Sequence, residues 1–262
     1  MSPTERLLFP PGIPTAKLSE AIQHPSHIKI RYFKLTINAL PSRYLLACGN
    51  VSWESTYPDD WMQERSSMPF QCLPILEISS SQHGTGDKES GTSVVLAETT
   101  AVEFYLANLV GMMGDNEYEK YTIMALHSSS KAIMDNFATY CAFNVPEAMP
   151  KAFQKWRDEY LPQWVTIQDK HLVANGSNGH YIGDKLTLAD IRAAVVINYF
   201  ESQPDAKVWM GIISKSEALM KLKAKVESHP PIAALRASDE YKQHVEGTVG
   251  MFSTMSPWTQ KL

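Results

Sequence analysis

Two short stretches carry residue types suited to a charged, peptide-like ligand. The first is Gln71-Cys72-Leu73-Pro74-Ile75-Leu76-Glu77-Ile78. Its crowded apolar and β-branched residues predict a strand, with Pro74 at its threshold. Proline donates nothing to a β-ladder, so it belongs at an edge or at the first strand position. Two arrangements meet that requirement. A trans Pro74 lies on an edge strand, whereas a cis Leu73–Pro74 bond presents the Leu73 N–H and C=O to an extended ligand. The second stretch is Leu96-Ala97-Glu98-Thr99-Thr100-Ala101, a strand end running into a helix start. Unsatisfied amides and the helix dipole make such a start an anion site, and Thr99 adds a hydroxyl. Glu98 supplies the opposite charge, so the pair suits a zwitterion: carboxylate on the helix end and Thr99, ammonium on Glu98. The plainer use is capping. Thr100 and Glu103 match a capping box, which leaves Glu98 unassigned.

The elements that position these stretches follow from periodicity. Residues 27–34 alternate Ile28, Ile30 and Tyr32 with Lys29 and Arg31, which predicts a strand. Pro41 suits a first helical turn and Gly49 closes that helix. Residues 52–68, with Trp53 and Trp61, show little regularity. Strands over 74–78 and 93–97 form a hairpin across the polar, glycine-rich loop 79–93, and a helix follows. Beyond residue 115 strand signals vanish. Helices are predicted over 115–144, 151–174, 187–201, 216–228 and 232–245, separated by Pro146, Pro150, the 175–179 loop, Pro204 and Pro230-Pro231. The division reads as an arm (1–26), an α/β domain (27–112), an all-helical domain (113–245) and a tail (246–262).

The order β-α-β-loop-β-β-α with a proline opening the third strand resembles a thioredoxin-like domain, which implies the cis arrangement at Pro74. Four linked segments make the whole resemble the cytosolic glutathione transferase family, closest to its sigma-like class, over about residues 27–245. They are Lys29-Ile30-Arg31-Tyr32-Phe33-Lys34, Pro69-Phe70-Gln71-Cys72-Leu73-Pro74-Ile75-Leu76-Glu77, Ala97-Glu98-Thr99-Thr100-Ala101 and Gly183-Asp184-Lys185-Leu186-Thr187-Leu188-Ala189-Asp190. The resemblance implies α/β plus all-α architecture: an N-terminal thioredoxin-like domain, then an all-helical C-terminal domain. It implies glutathione as co-substrate, an apolar electrophile and a homodimer, while the eight histidines show no ligand spacing and point to no metal.

Carried over by residue, it makes Tyr32 the thiol-activating group. A phenol O–H donated to sulfur favours the thiolate, which a thiol of pKa ~8.5 seldom forms at neutral pH. Leu73 and Pro74 pair with the glutathione backbone, Glu98 and Thr99 hold its zwitterionic end, and Trp61 and Arg65 hold its glycine end. Cys72 lies beside the ligand, where a mixed disulfide is an alternative chemistry. Met124, Phe137 and Tyr140 on helix 115–144 are candidates for the electrophile pocket, with Trp258 as its cover. The departures are specific. Thr36-Ile37-Asn38 stands where the family has Arg-Gly-Arg, and Cys72 where it has a Gln. The lost arginine, with the extensions at 1–26 and 246–262, favours an alternative, a non-catalytic ligand-binding or protein-interaction scaffold of the same fold. Thr187 and Asp190 form a Thr-x-x-Asp box, read as a folding element.

Composition narrows the class. Across 262 residues, 44% are apolar and 20% charged, with a net charge of −4 and no basic stripe, which argues against nucleic acid. No run approaches a membrane span, and prolines interrupt the N-terminus too early for a secretory signal. With three scattered cysteines, the expectation is a reduced, cytoplasmic protein.

Overall fold

Ile28 and Ile30 are fully buried, as their alternation requires, and they centre a four-stranded sheet of order β2-β1-β3-β4. The computed structural model describes residues 5–80, 92–142, 145 and 147–255. Most of the 79–93 loop, and Trp258, lie outside them. The chain divides into two units, one of residues 1–34 and 38–110, the other of 35–37 and 111–262.

The first unit runs α1 (Thr15–Gln23), β1 (Pro25–Arg31), α2 (Leu40–Cys48), β2 (Ser52–Thr56), α3 (Trp61–Glu64), β3 (Ile75–Ser80), β4 (Ser93–Ala97) and α4 (Thr99–Leu109). β2 pairs parallel to β1, β3 antiparallel to β1, and β4 antiparallel to β3. Two elements fall where regularity was not expected. β2 occupies the segment read as irregular, because its polar alternation suits a half-exposed edge. α1 lies in the arm, where Pro14 stands at its N-cap and Leu18 and Ala21, three apart, turn into the core. The Tyr105 hydroxyl donates to the Ile22 carbonyl at 3.0 Å and ties the helix end to α4.

The second unit contains α5 (Glu117–Phe137), α6 (Met149–Lys155), α7 (Leu161–Ala174), α8 (Leu188–Glu201), α9 (Ala206–Ile213), α10 (Glu217–Ser228), α11 (Pro230–Ala237) and α12 (Asp239–Met255). None is long and apolar enough to cross a membrane. Pro230 and Pro231 open α11, where the first turn needs no amide donor. The helix expected over 232–245 splits at Ser238, whose hydroxyl accepts from the Tyr241 amide at 3.2 Å. α12 then continues to Met255, well past the boundary read for the tail.

α8 is buried along almost its whole length, and its start rests on Asp190. This fully buried carboxylate accepts from the Tyr181 amide at 2.9 Å, the Thr187 amide at 2.8 Å and the Thr187 hydroxyl at 2.9 Å. Asp190→Ala strands two buried amides and should cost about 3 kcal/mol. Urea unfolding of the variant against the parent measures it; a loss under about 1 kcal/mol would show that water replaces the carboxylate.

Candidate functional site

Tyr32 follows β1 directly, with its amide bonded to the Thr56 carbonyl at 3.1 Å and its side chain only 5% exposed. Its ring meets Phe33 edge-on at 5.4 Å, and Phe33 meets Trp61 in the same way at 5.4 Å. Sequence reasoning missed a fourth member of this group. Arg43, 1% exposed on α2, places its guanidinium 6.0 Å from the centre of the Tyr32 ring and donates to the Phe33 carbonyl at 3.2 Å. Residues 36–38 carry no arginine, so the cation beside the tyrosine comes from the helix instead. The signal was a single charge inside the otherwise apolar or small run Leu40–Leu46.

Trp61 and Arg65 stand on a short helical segment with little core of its own. Asp60 caps it, accepting from the amides of Met62 at 3.0 Å and Gln63 at 3.3 Å. Glu64 accepts from the Asp59 amide at 2.8 Å and pairs with Arg31 at the end of β1. Burial opposes the Glu64 charge, but Arg31 and the Asp59 and Asp60 amides prevail and hold its carboxyl below the usual range. The exposed Arg65 guanidinium makes no ion pair with a described residue, so its charge is open to an anion.

The hairpin brings the other residues together. Leu73–Pro74 is cis, and Ile75, the next residue, pairs with Ala97. The chain therefore leaves β4 into Glu98 beside Pro74. Glu98 has φ of 72°, a region costly for a residue with a β-carbon, and it is the N-cap of α4. The capping box expected at Thr100 and Glu103 does not form. α4 begins one residue earlier, at Thr99, and no side chain caps it. Glu103 points into the interior and is fully buried. The Glu98 side chain therefore makes no cap bond to the first amides of α4, at whose head Thr99 stands.

Cys72 donates its thiol to a Glu98 carboxylate oxygen at 3.4 Å. Burial, then the bond and charge of Glu98, push that thiol up to about 11. Burial also raises Cys48 to about 11 and Cys141 to about 12. Among the described residues no His, Cys, Asp and Glu gather into a group able to hold a metal ion. In the second unit, Tyr140 lines a cavity of about 710 Å³ with Ile133, Trp156, Tyr160 and Trp164. Phe137, grouped with Tyr140 in the sequence reading, is a core residue: it is 1% exposed and packs edge-on against Trp156, Tyr199, Phe200 and Trp209.

The chain is similar to known proteins in sequence and fold. Residues 131–239 match the domain described as "Glutathione S-transferase, C-terminal domain". S-crystallin SL11 of Nototodarus sloanii is 27% identical over 209 residues, which span 78% of this chain and 92% of that protein. A glutathione S-transferase of Anopheles gambiae is 24% identical over 173 residues, 65% of this chain and 78% of that protein. The structure of prostaglandin synthase D of Nilaparvata lugens superposes with a TM-score of 0.68 at 21% identity, covering 81% of this chain and 98% of that one. The fold is accordingly a thioredoxin-like domain followed by an all-helical domain.

A thiol near pKa 11 is about one part in a thousand thiolate at pH 8. Alkylation of Cys72 by iodoacetamide, followed by mass spectrometry, should therefore be slow at neutral pH and rise about tenfold per pH unit toward 11. A plateau below pH 9 would overturn this assignment and restore Cys72 as a reactive group.

Proposed function

We propose that the chain is a member of the cytosolic glutathione transferase family and that it conjugates reduced glutathione to an apolar electrophile through a thiolate held by Tyr32. The carrying observation is the uncapped start of α4 beside the cis Leu73–Pro74 bond, with Glu98 and Thr99 at the junction. In this reading the γ-glutamyl carboxylate takes the α4 amides and the Thr99 hydroxyl, and the ammonium takes Glu98. The Leu73 backbone pairs with the extended tripeptide, Pro74 fixes that edge, and Cys72 packs beside it. Trp61 and Arg65 take the glycine carboxylate. The reading is sigma-like, dimeric and cytoplasmic.

The chemistry needs little else. The Tyr32 hydroxyl donates to the sulfur, which loses its proton to solvent and stays ionised. A sulfur lone pair forms the new C–S bond. The leaving group departs with its electron pair or, in an addition, the adjacent atom takes a proton. Arg43 beside the Tyr32 ring favours negative charge there. Cys72 thiol–disulfide chemistry is disfavoured by its raised pKa.

One observation favours a second reading, a scaffold of the same fold that binds apolar ligands or protein partners without turnover. Thr36 occupies the family's arginine stretch and is engaged elsewhere: its amide and hydroxyl both bond the Thr248 hydroxyl, at 2.7 and 3.0 Å.

Calorimetric titration with reduced glutathione separates the two. The transferase reading expects saturable one-to-one binding, weakened roughly tenfold by Thr99→Ala. Tyr32→Phe should lower kcat about 100-fold with little change in glutathione affinity, and move the rate profile toward the ~8.5 of an unassisted thiol. No binding at millimolar glutathione would end the transferase reading.

A further inference from the structure

The segment bearing Trp61 and Arg65 is poorly able to hold itself. α3 has four residues, none buried, and the 3₁₀ turn Arg65–Ser67 after it buries only Ser67. Helices this short do not persist in water on their own hydrogen bonds. One end is tied to β1 through Arg31 and Glu64. The other end is tied by a segment that the sequence reading left as a loose arm.

Three anchors join residues 6–8 to it. The Arg6 amide donates to the Ser67 carbonyl at 2.8 Å. The Arg6 guanidinium reaches the Ser67 hydroxyl at 3.4 Å and pairs with Glu77 on β3, so one side chain bridges the turn and the sheet. Ser67 in turn donates to the Glu64 carbonyl at 2.7 Å, which passes the restraint into α3. Leu8 packs on the buried cluster Met68, Ile75 and Ala97, where Trp61, Leu73 and Val95 also pack. Between them, Arg6 and Leu8 touch both the turn after α3 and β3, the strand that follows Leu73.

We propose that the N-terminal arm is a positioning element for the glutathione site, in which Arg6 and Leu8 hold α3, and with it Trp61 and Arg65, against β3. The proposal rests on the glutathione reading for its effect on affinity, but not for its effect on the segment itself. Arg6 and Leu8 act through Trp61 and Arg65 and touch no reacting atom. Releasing the arm loosens the glycine end of the site, so glutathione binds more weakly, while Tyr32 keeps its chemistry once glutathione is bound.

The experiment uses the full chain and its double variant Arg6→Ala/Leu8→Ala, with the milder Arg6→Gln if the double variant unfolds. Phe9→Ala is the control, since Phe9 is 73% exposed. Hydrogen–deuterium exchange without ligand should show amides 61–68 exchanging at least about tenfold faster in the arm variant, and unchanged in the control. Calorimetry should show the Kd for glutathione rising about five- to tenfold, and kcat at saturating glutathione should stay within about twofold. Unchanged exchange over 61–68 overturns the proposal, as does faster exchange with an unchanged Kd. If the parent protein itself binds no glutathione, the transferase reading and the positioning role both fail, while the exchange data still decide whether the arm restrains α3.

Discussion

The candidate site depends on one pairing register. β3 and β4 run antiparallel with Ile75 opposite Ala97, so the residues just outside the pair, Pro74 on one side and Glu98 on the other, are neighbours. A one-residue slip would exchange the two faces of each strand, and with Ile75, Leu76 and Ile78 all buried it would disrupt packing on both sides of β3. The loop joining the strands can therefore vary in length at little cost to the site, because closure entropy grows slowly with loop length. The site is set by packing in the sheet and not by the connection that makes the hairpin.

Around that junction, charge is placed against local preference. Glu98 stands at the positive end of α4, which suits a carboxylate, yet its backbone adopts a conformation that costs about 1–3 kcal/mol. Arg43 is buried on α2, where an ion loses hydration that its contacts must offset. A bound ammonium beside Glu98 would give that carboxylate a partner charge in return for its backbone cost. The buried Asp190 is the contrast: its oxygens are satisfied by the protein's own donors, and it carries structure alone.

What the sequence disclosed followed from how local each signal was. Ile28, Ile30 and Tyr32 announced β1 because period two needs no distant partner, and Thr187 with Asp190 announced α8 because a box of four residues is self-contained. The cis Pro74 followed from the resemblance of the surrounding segments. Signals that depend on tertiary context were obscure. β2 is an edge strand of mixed polarity, α9 is a short apolar run after a proline, and α1 hides behind three prolines. Thr100 and Glu103 gave a misleading local signal, since burying Glu103 and starting the helix at Thr99 overrode it. Arg43 gave only a lone charge in an apolar run, and its place beside Tyr32 was hidden because only the folded chain brings α2 back to that residue.

The assignment of Leu35–Ile37 to the helical unit, although chain on both sides of it belongs to the other, bears on synthesis. Its buried partner Thr248 follows Thr36 by 212 positions and lies on α12, the last helix described. As the chain emerges from the ribosome, the sheet residues appear early and domains tend to fold in that order. Leu35–Ile37 must then wait, with the Thr36 amide still in water, until α12 has been made. A chain stopped short of α12 would carry its sheet but leave that loop unfinished.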